Sequence, residues 1–224
     1  MEVKNYTLKL IYLFILLILS VGFTNAQKRN NKKNLNVNFV SQWNNEGYQK
    51  LSHKDYRENK LFRQKINFNK PDYRLLDACI FFAVNEQRAK LNKSILTFAP
   101  ELEVSAYFHS KQMAENDFFS HTNSKEPKRK TPELRAQLAG INNPAIAENI
   151  AMRAGFEDNI TYLELSDLLI NQWMNSAGHR ANILHKSALQ LGCGVYFKDS
   201  ECYATQCFQW FKPIKSQKAS DVLP

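Results

Sequence analysis

From residue 27 onward the sequence has no apolar run long enough to cross a bilayer, which takes about 20 residues. It has no cysteine before Cys79, which excludes a lipid-modified cysteine near the N-terminus. Its four cysteines form no CxxC pair, which argues against a zinc ribbon or a redox motif. Neither HExxH nor GxSxG occurs, and no internal repeat is visible. Net charge is also missing where a nucleic-acid-binding domain would need it. Residues 27–70 carry eleven Lys or Arg against three acids, and residues 71–224 are neutral although the whole chain is +9. The basic segment reads as a solvated linker, with an anionic envelope surface as the partner it would suit.

What is present begins with the N-terminus. Lys4 and Lys9 lead into the apolar run Leu10–Val21, and Thr24-Asn25-Ala26 places small residues where a signal peptidase reads. Residues 1–26 are therefore expected to be a signal peptide cleaved near Ala26, giving a secreted, extracellular or periplasmic product. An uncleaved membrane anchor is the competing reading. Four cysteines suit an oxidising compartment and allow two disulfides in three connectivities. Residues 27–70 read as a basic, Asn/Lys-rich extension, disordered over 27–45, whose later aromatics pack on the domain in places.

The domain is expected over residues 71–213, with a C-terminal tail at 214–224. Apolar spacing predicts a helix from about Tyr73 to Lys90 and a second from Pro100 to about Asp117. Thr131, Pro132 and Gly140 punctuate a third, and Thr161-x-x-Glu164 is a capping box opening a fourth. "AIAENIA" (145–151), "LGCGVYF" (191–197) and "CYATQCFQWF" (202–211) read as strands, the last two joined by the turn 198–201. Helices followed by a closing hairpin give an α+β class.

Two of the five histidines, His121 and His179, lie in loops just beyond helices, where binding residues concentrate. His53 and His185 read as surface residues, and His109 as a buried structural one. In "NQWMNSAGHRANIL" (171–184) the helix stops at Ser176-Ala177-Gly178, Gly178 supplying backbone freedom, and His179 follows. Glu148 sits inside an apolar strand and needs a partner, which a histidine or a metal would supply.

The boxes "NDFFSH", "IAENIA", "WMNSAGHRANIL" and "LGCGV", in that order and preceded by "NEQR" (85–88), resemble the CAP superfamily. That superfamily comprises cysteine-rich secretory proteins, antigen 5 and class 1 pathogenesis-related proteins, and the likeness is to its bacterial secreted branch. It covers about residues 73–211. It implies a three-layer α-β-α sandwich with a central antiparallel sheet and an open cleft. It also implies a cleft lined by His121, Glu148 and His179, with Ser176 where the family's second glutamate falls. Divalent-metal binding by two histidines, here His121 and His179, follows from the same likeness, with Zn2+ the expected ion. The family often links its LGC cysteine to one on the next strand, which implies Cys193–Cys207 and leaves Cys79 and Cys202.

Three functions remain in competition. One is a monomeric secreted module binding metal, or a lipid, glycan or peptide ligand. The second is a hydrolase of extracellular peptide or cell-wall material, either metal-assisted or using Ser176, His179 and Glu148 as nucleophile, base and orienting acid. In the third, residues 27–70 anchor an envelope protein.

Overall fold

The computed structural model describes residues 41–215. The expected signal peptide and most of the segment expected to be disordered lie outside the described residues. Among the described residues no helix is long and apolar enough to cross a membrane.

The chain enters through a short helix, α1 (Gly47–Lys50), and a 3-10 turn (Tyr56–Glu58), then forms the long α2 (Tyr73–Lys90). Next come β1 (Thr97–Phe98), α3 (Pro100–Glu115), α4 (Pro132–Leu138) and β2 (Ile146–Arg153). It closes with α5 (Tyr162–Asn175), α6 (Ala177–Ile183), β3 (Ala188–Lys198) and β4 (Glu201–Trp210). The helix starts follow local chemistry. The Asp72 carboxylate accepts the Leu75 N–H at α2, and Thr131 accepts the Leu134 N–H ahead of Pro132 at α4. Thr161 and Glu164 form the capping box of α5 reciprocally, as the sequence predicts.

The sheet has the order β1-β3-β4-β2. Its three long strands are antiparallel, but β1 joins β3 in parallel, so the expected antiparallel sheet is mixed. A parallel neighbour needs a long crossover, and the helices between residues 99 and 187 provide it. One face carries Leu191, Cys193, Val195, Cys202, Ala204 and Phe208 into a core shared with α2 and α5. The other face lies under α3. There, a methyl group at Gly192 would sit 2.1 Å from the Glu103 nitrogen, and at Gly194 2.0 Å from the Tyr107 nitrogen. The two glycines of "LGCGV" therefore exist so that the α3 backbone can rest directly on the strand.

The packed body begins well before Pro71. Trp43, Tyr56, Phe62 and Ile66 are buried in the same core as α2 and α5. Lys65 bridges Thr161, and Arg57 pairs with both Glu86 and Asp167. Burying each such apolar side chain stabilises by about 2 kcal/mol relative to leaving it in water. The second half of the basic extension is thus part of the domain.

All four cysteines are free and buried. The expected Cys193–Cys207 bridge is ruled out by register. Cys207 pairs with Gly192 across the strands, and Cys193 pairs with Gln206. Side chains alternate along a strand, so Cys193 enters the α2/α5 core while Cys207 enters the cluster beneath α3. Cys79 and Cys202 share the α2/α5 core without a bond between them.

Candidate functional site

Strand β2 forms one edge of the sheet, and its outward carbonyls are covered by side chains rather than by another strand. Asn182 Nδ2 donates to Glu148 O (3.3 Å), Trp173 Nε1 to Ile150 O (3.1 Å) and Gln172 Nε2 to Met152 O (3.3 Å). The amide and indole groups of α5 and α6 thereby close the edge. This explains the fully buried Trp173, which anchors the end of α5 beside the strand.

Side chains of β2 alternate about that edge. Asn149 turns toward α6, where its Nδ2 donates to the His179 carbonyl (3.1 Å) and its Oδ1 accepts from Asn182 (2.9 Å). Glu148 turns the other way and is almost wholly buried, with 2% of its side chain exposed. One carboxylate oxygen, Oε1, accepts from His121 Nδ1 at 2.9 Å. The other, Oε2, accepts from Arg135 Nη2 at 2.6 Å. Burial pushes the Glu148 carboxyl upward, but His121, His109 and Arg135 together hold it below the ordinary carboxylate range.

Arg135, itself 1% exposed, is the hub of the loop that carries His121. Besides Glu148 it donates to the His121 carbonyl (3.1 Å) and, through Nη1, to the Arg129 carbonyl (2.9 Å). His109 of α3 lies behind them. Its Nε2 donates to the Ser120 carbonyl (3.1 Å) and stands 3.7 Å from Glu148 Oε1. Burial lowers His109 to about 4, outweighing the pull of Glu148, so at neutral pH the contact is not an ion pair. The expected structural role of His109 thus has its partner in the loop backbone.

The imidazole of His121 is half exposed, at 51%. With Nδ1 engaged by Glu148, Nε2 has no hydrogen-bond partner among the described residues. His179 lies not in a loop, as expected, but at the third position of α6, half buried, and its Nδ1 is buried without a partner among the described residues. Burial first, and the nearby His121 second, lower the His179 pKa and favour its neutral ring.

Ser176 ends α5 and starts α6 with extended backbone (φ −93°, ψ 123°). That one residue makes the break. Gly178 lies within α6, and its φ is not positive, so the turn does not use glycine's conformational freedom. Among the described residues the Ser176 hydroxyl makes no hydrogen bond, and Glu148 is bonded to His121 and Arg135, not to His179. A Ser176–His179–Glu148 relay is therefore not assembled.

The expected cleft residues His121 and Glu148 are in direct contact, whereas His179 is tied to the neighbouring Asn149 through its backbone carbonyl. Sequence reasoning missed Arg135, Asn149 and Asn182. The buried acid announced that it needed a partner, but a lone arginine on a seven-residue helix carries no motif. Among the described residues no group of three or more His, Cys, Asp or Glu side chains is arranged to hold a metal ion.

Residues 81–210 match the model of the cysteine-rich secretory protein family, CAP. An extracellular protein containing an SCP domain from Bacillus anthracis shares 29% identity at a TM-score of 0.50, covering 63% of this chain and 42% of that one. This chain therefore corresponds to less than half the length of that relative. The outer surface protein of Borrelia burgdorferi shares 20% identity (TM-score 0.47, 66% and 98% covered). A cysteine-rich secretory protein of Staphylococcus aureus shares 19% (TM-score 0.45, 62% and 40% covered). No curated protein matches the sequence.

Proposed function

Because the chain belongs to the cysteine-rich secretory protein (CAP) family, we propose that it is an exported, non-catalytic binding module working through the cleft at the β2 edge. His121 and His179 are its ligating residues for a divalent metal ion, and an extracellular glycan, lipid or peptide ligand would meet the same surface. The observation that carries this reading is the division of labour around Glu148. Its carboxylate is consumed in orienting His121 and pairing with Arg135, which leaves Nε2 of His121 without a partner among the described residues.

The donor set suits a borderline-soft divalent ion such as Zn2+: two imidazoles, one exposed and one with a buried orphan nitrogen. When bound, such an ion would act as a Lewis acid toward an oxygen of the ligand. Glu148 fixes the tautomer and orientation of His121, Arg135 neutralises Glu148, and Asn149 holds the backbone of His179. Two protein ligands give a shallow, exchangeable site rather than a closed structural one. The nucleophilic reading is not favoured, since the Ser176 hydroxyl has no base.

Export is supported by the Lys-flanked apolar run ahead of Ala26 and by the likeness to an extracellular Bacillus anthracis protein. Four reduced thiols are compatible with it because all are buried.

Titration calorimetry with Zn2+ tests the reading. One ion per chain is expected, with at least tenfold weaker binding in His121→Ala and in His179→Ala and unchanged unfolding curves. Absence of binding to the wild type, or equal binding by both variants, removes the metal function.

A further inference from the structure

A second concave site lies at the opposite edge of the sheet, built in part by residues ahead of the family match. It is a cavity of about 670 Å³, within the range of small-molecule sites. Phe81 and Phe82 of α2 line it together with Ile95 ahead of β1, Phe98 on β1, and Tyr48 and Leu51 of the N-terminal segment. The Tyr48 ring stacks on Phe98 at 3.6 Å, which fixes the N-terminal segment to β1.

The chemistry of the lining is unusual for this chain. Among the described residues, no Lys, Arg, Asp or Glu lines the cavity, although such residues make up 23% of the sequence. Most of its polar groups are already used. Asn85 spends both ends of its amide on Leu96, donating to the carbonyl (3.0 Å) and accepting the N–H (2.8 Å). Tyr48 donates to Glu103 (2.9 Å), Asn45 accepts from Arg74, Ser52 donates to Asp55 (2.6 Å), and Thr97 donates to the Leu189 carbonyl (3.4 Å). Among the described residues the side chains of Gln49 and His53 have no hydrogen-bond partner, and both belong to the N-terminal segment.

We propose that this cavity is a binding site, separate from the histidine cleft, for an uncharged ring-bearing small molecule whose hydroxyl, amide or amine group bonds to Gln49 and His53. A cationic ligand would leave its charge beside aromatic rings with no carboxylate on the lining, and an anionic one would meet no Lys or Arg there. Aromatic walls instead favour a flat apolar body packed edge-to-face. Gln49 offers both donor and acceptor, and His53 in its neutral form does the same, so the pair reads a polar group of either kind.

Two fluorescent probes of similar ring size test the proposal on the purified full chain. N-phenyl-1-naphthylamine is neutral with one N–H, and 8-anilinonaphthalene-1-sulfonate is its anionic counterpart. The neutral probe is expected to bind saturably at one site, at least tenfold more tightly than the sulfonate. Ile95→Arg, at a rim position that is 43% exposed, should weaken neutral-probe binding at least tenfold without unfolding the chain. His179→Ala should leave it unchanged, which separates this site from the cleft. No saturable binding, equal binding of the two probes, or wild-type affinity in Ile95→Arg overturns the proposal. Binding that emerges only after removal of residues 27–40 also overturns it, assigning the cavity to the chain's own N-terminal segment.

Discussion

Glu148 and Glu103 are both buried carboxyls beside the same sheet, yet one is held below the ordinary carboxylate range and the other is raised to about 7. At the β2 edge, Glu148 has a guanidinium at 2.6 Å and an imidazole N–H at 2.9 Å. Near the β1 edge, burial dominates Glu103. Its nearest cation, Arg74, stands 3.5 Å away, and its one donor is the neutral Tyr48 hydroxyl. Asp77 nearby is raised too, by burial first and then by Glu103 itself. Burial is common to all three acids, so its sign cannot explain the difference. Partners decide it: Glu148 has a guanidinium and an imidazole at hydrogen-bond distance, whereas Glu103 has a more distant guanidinium and a neutral hydroxyl.

The sharpest way to break this contrast is to remove the guanidinium. Arg135→Met leaves Glu148 buried without a fixed cation and should cost about 3–5 kcal/mol in urea unfolding. The double variant Arg135→Met/Glu148→Met should recover at least half of that loss. A single-variant cost below about 1 kcal/mol would mean that the pair is not what keeps Glu148 charged.

The corresponding cut at the other edge is Asn85→Ala. It strips two hydrogen bonds from Leu96 and leaves a buried N–H unpaired, at a cost of about 2–3 kcal/mol. Neutral-probe affinity should fall with it, while Zn2+ affinity stays at the wild-type value. If both affinities fall together, the two edges are not independent.

Glu103→Gln sharpens the comparison through pH. A carboxyl raised from 4.5 to about 7 binds its proton more tightly in the folded state, so folding loses stability as pH rises from 4.5 to 7 and is flat above. The glutamine keeps an acceptor for Tyr48 and removes that slope. At pH 8 it should be more stable than the wild type by about 1–3 kcal/mol, and at pH 4.5 nearly equal to it. Chemical denaturation at the two values reads the difference, and an unchanged difference between them refutes a raised Glu103.

The smallest effect is expected at Ser176→Ala, whose hydroxyl has no partner. Stability should change by less than about 0.5 kcal/mol, and Zn2+ affinity not at all. Loss of metal binding there would bring Ser176 back into the site.

Much of the frame was legible because it depends on neighbours along the chain. The bounds of α2 follow from its apolar spacing, and the start of α5 from Thr161 and Glu164. Ordered boxes located His121, Glu148 and His179. Three features escaped that kind of reading. Arg135 sits thirteen residues before Glu148 and meets it only because α4 folds beside β2. The aromatics from residue 43 onward read as packing on the domain in places, but nothing local says that Trp43, Tyr56 and Phe62 enter the core of α2 itself. Cys193 and Cys207 both lie on paired strands, and only the one-residue offset in register sends them to opposite faces.

Periodicity, caps and glycine spacing act within a few residues, so α2 to α5, the three long strands and the residue types at the cleft could be read along the chain, while β1 and its parallel pairing could not. Tertiary structure alone decided which buried acid stays charged and which thiols stay apart. It also decided that an N-terminal segment would wall a neutral cavity. Those outcomes depend on distances between residues far apart in the chain, and a carboxyl's protonation or a sulfur's reach is set by what stands within a few ångströms of it.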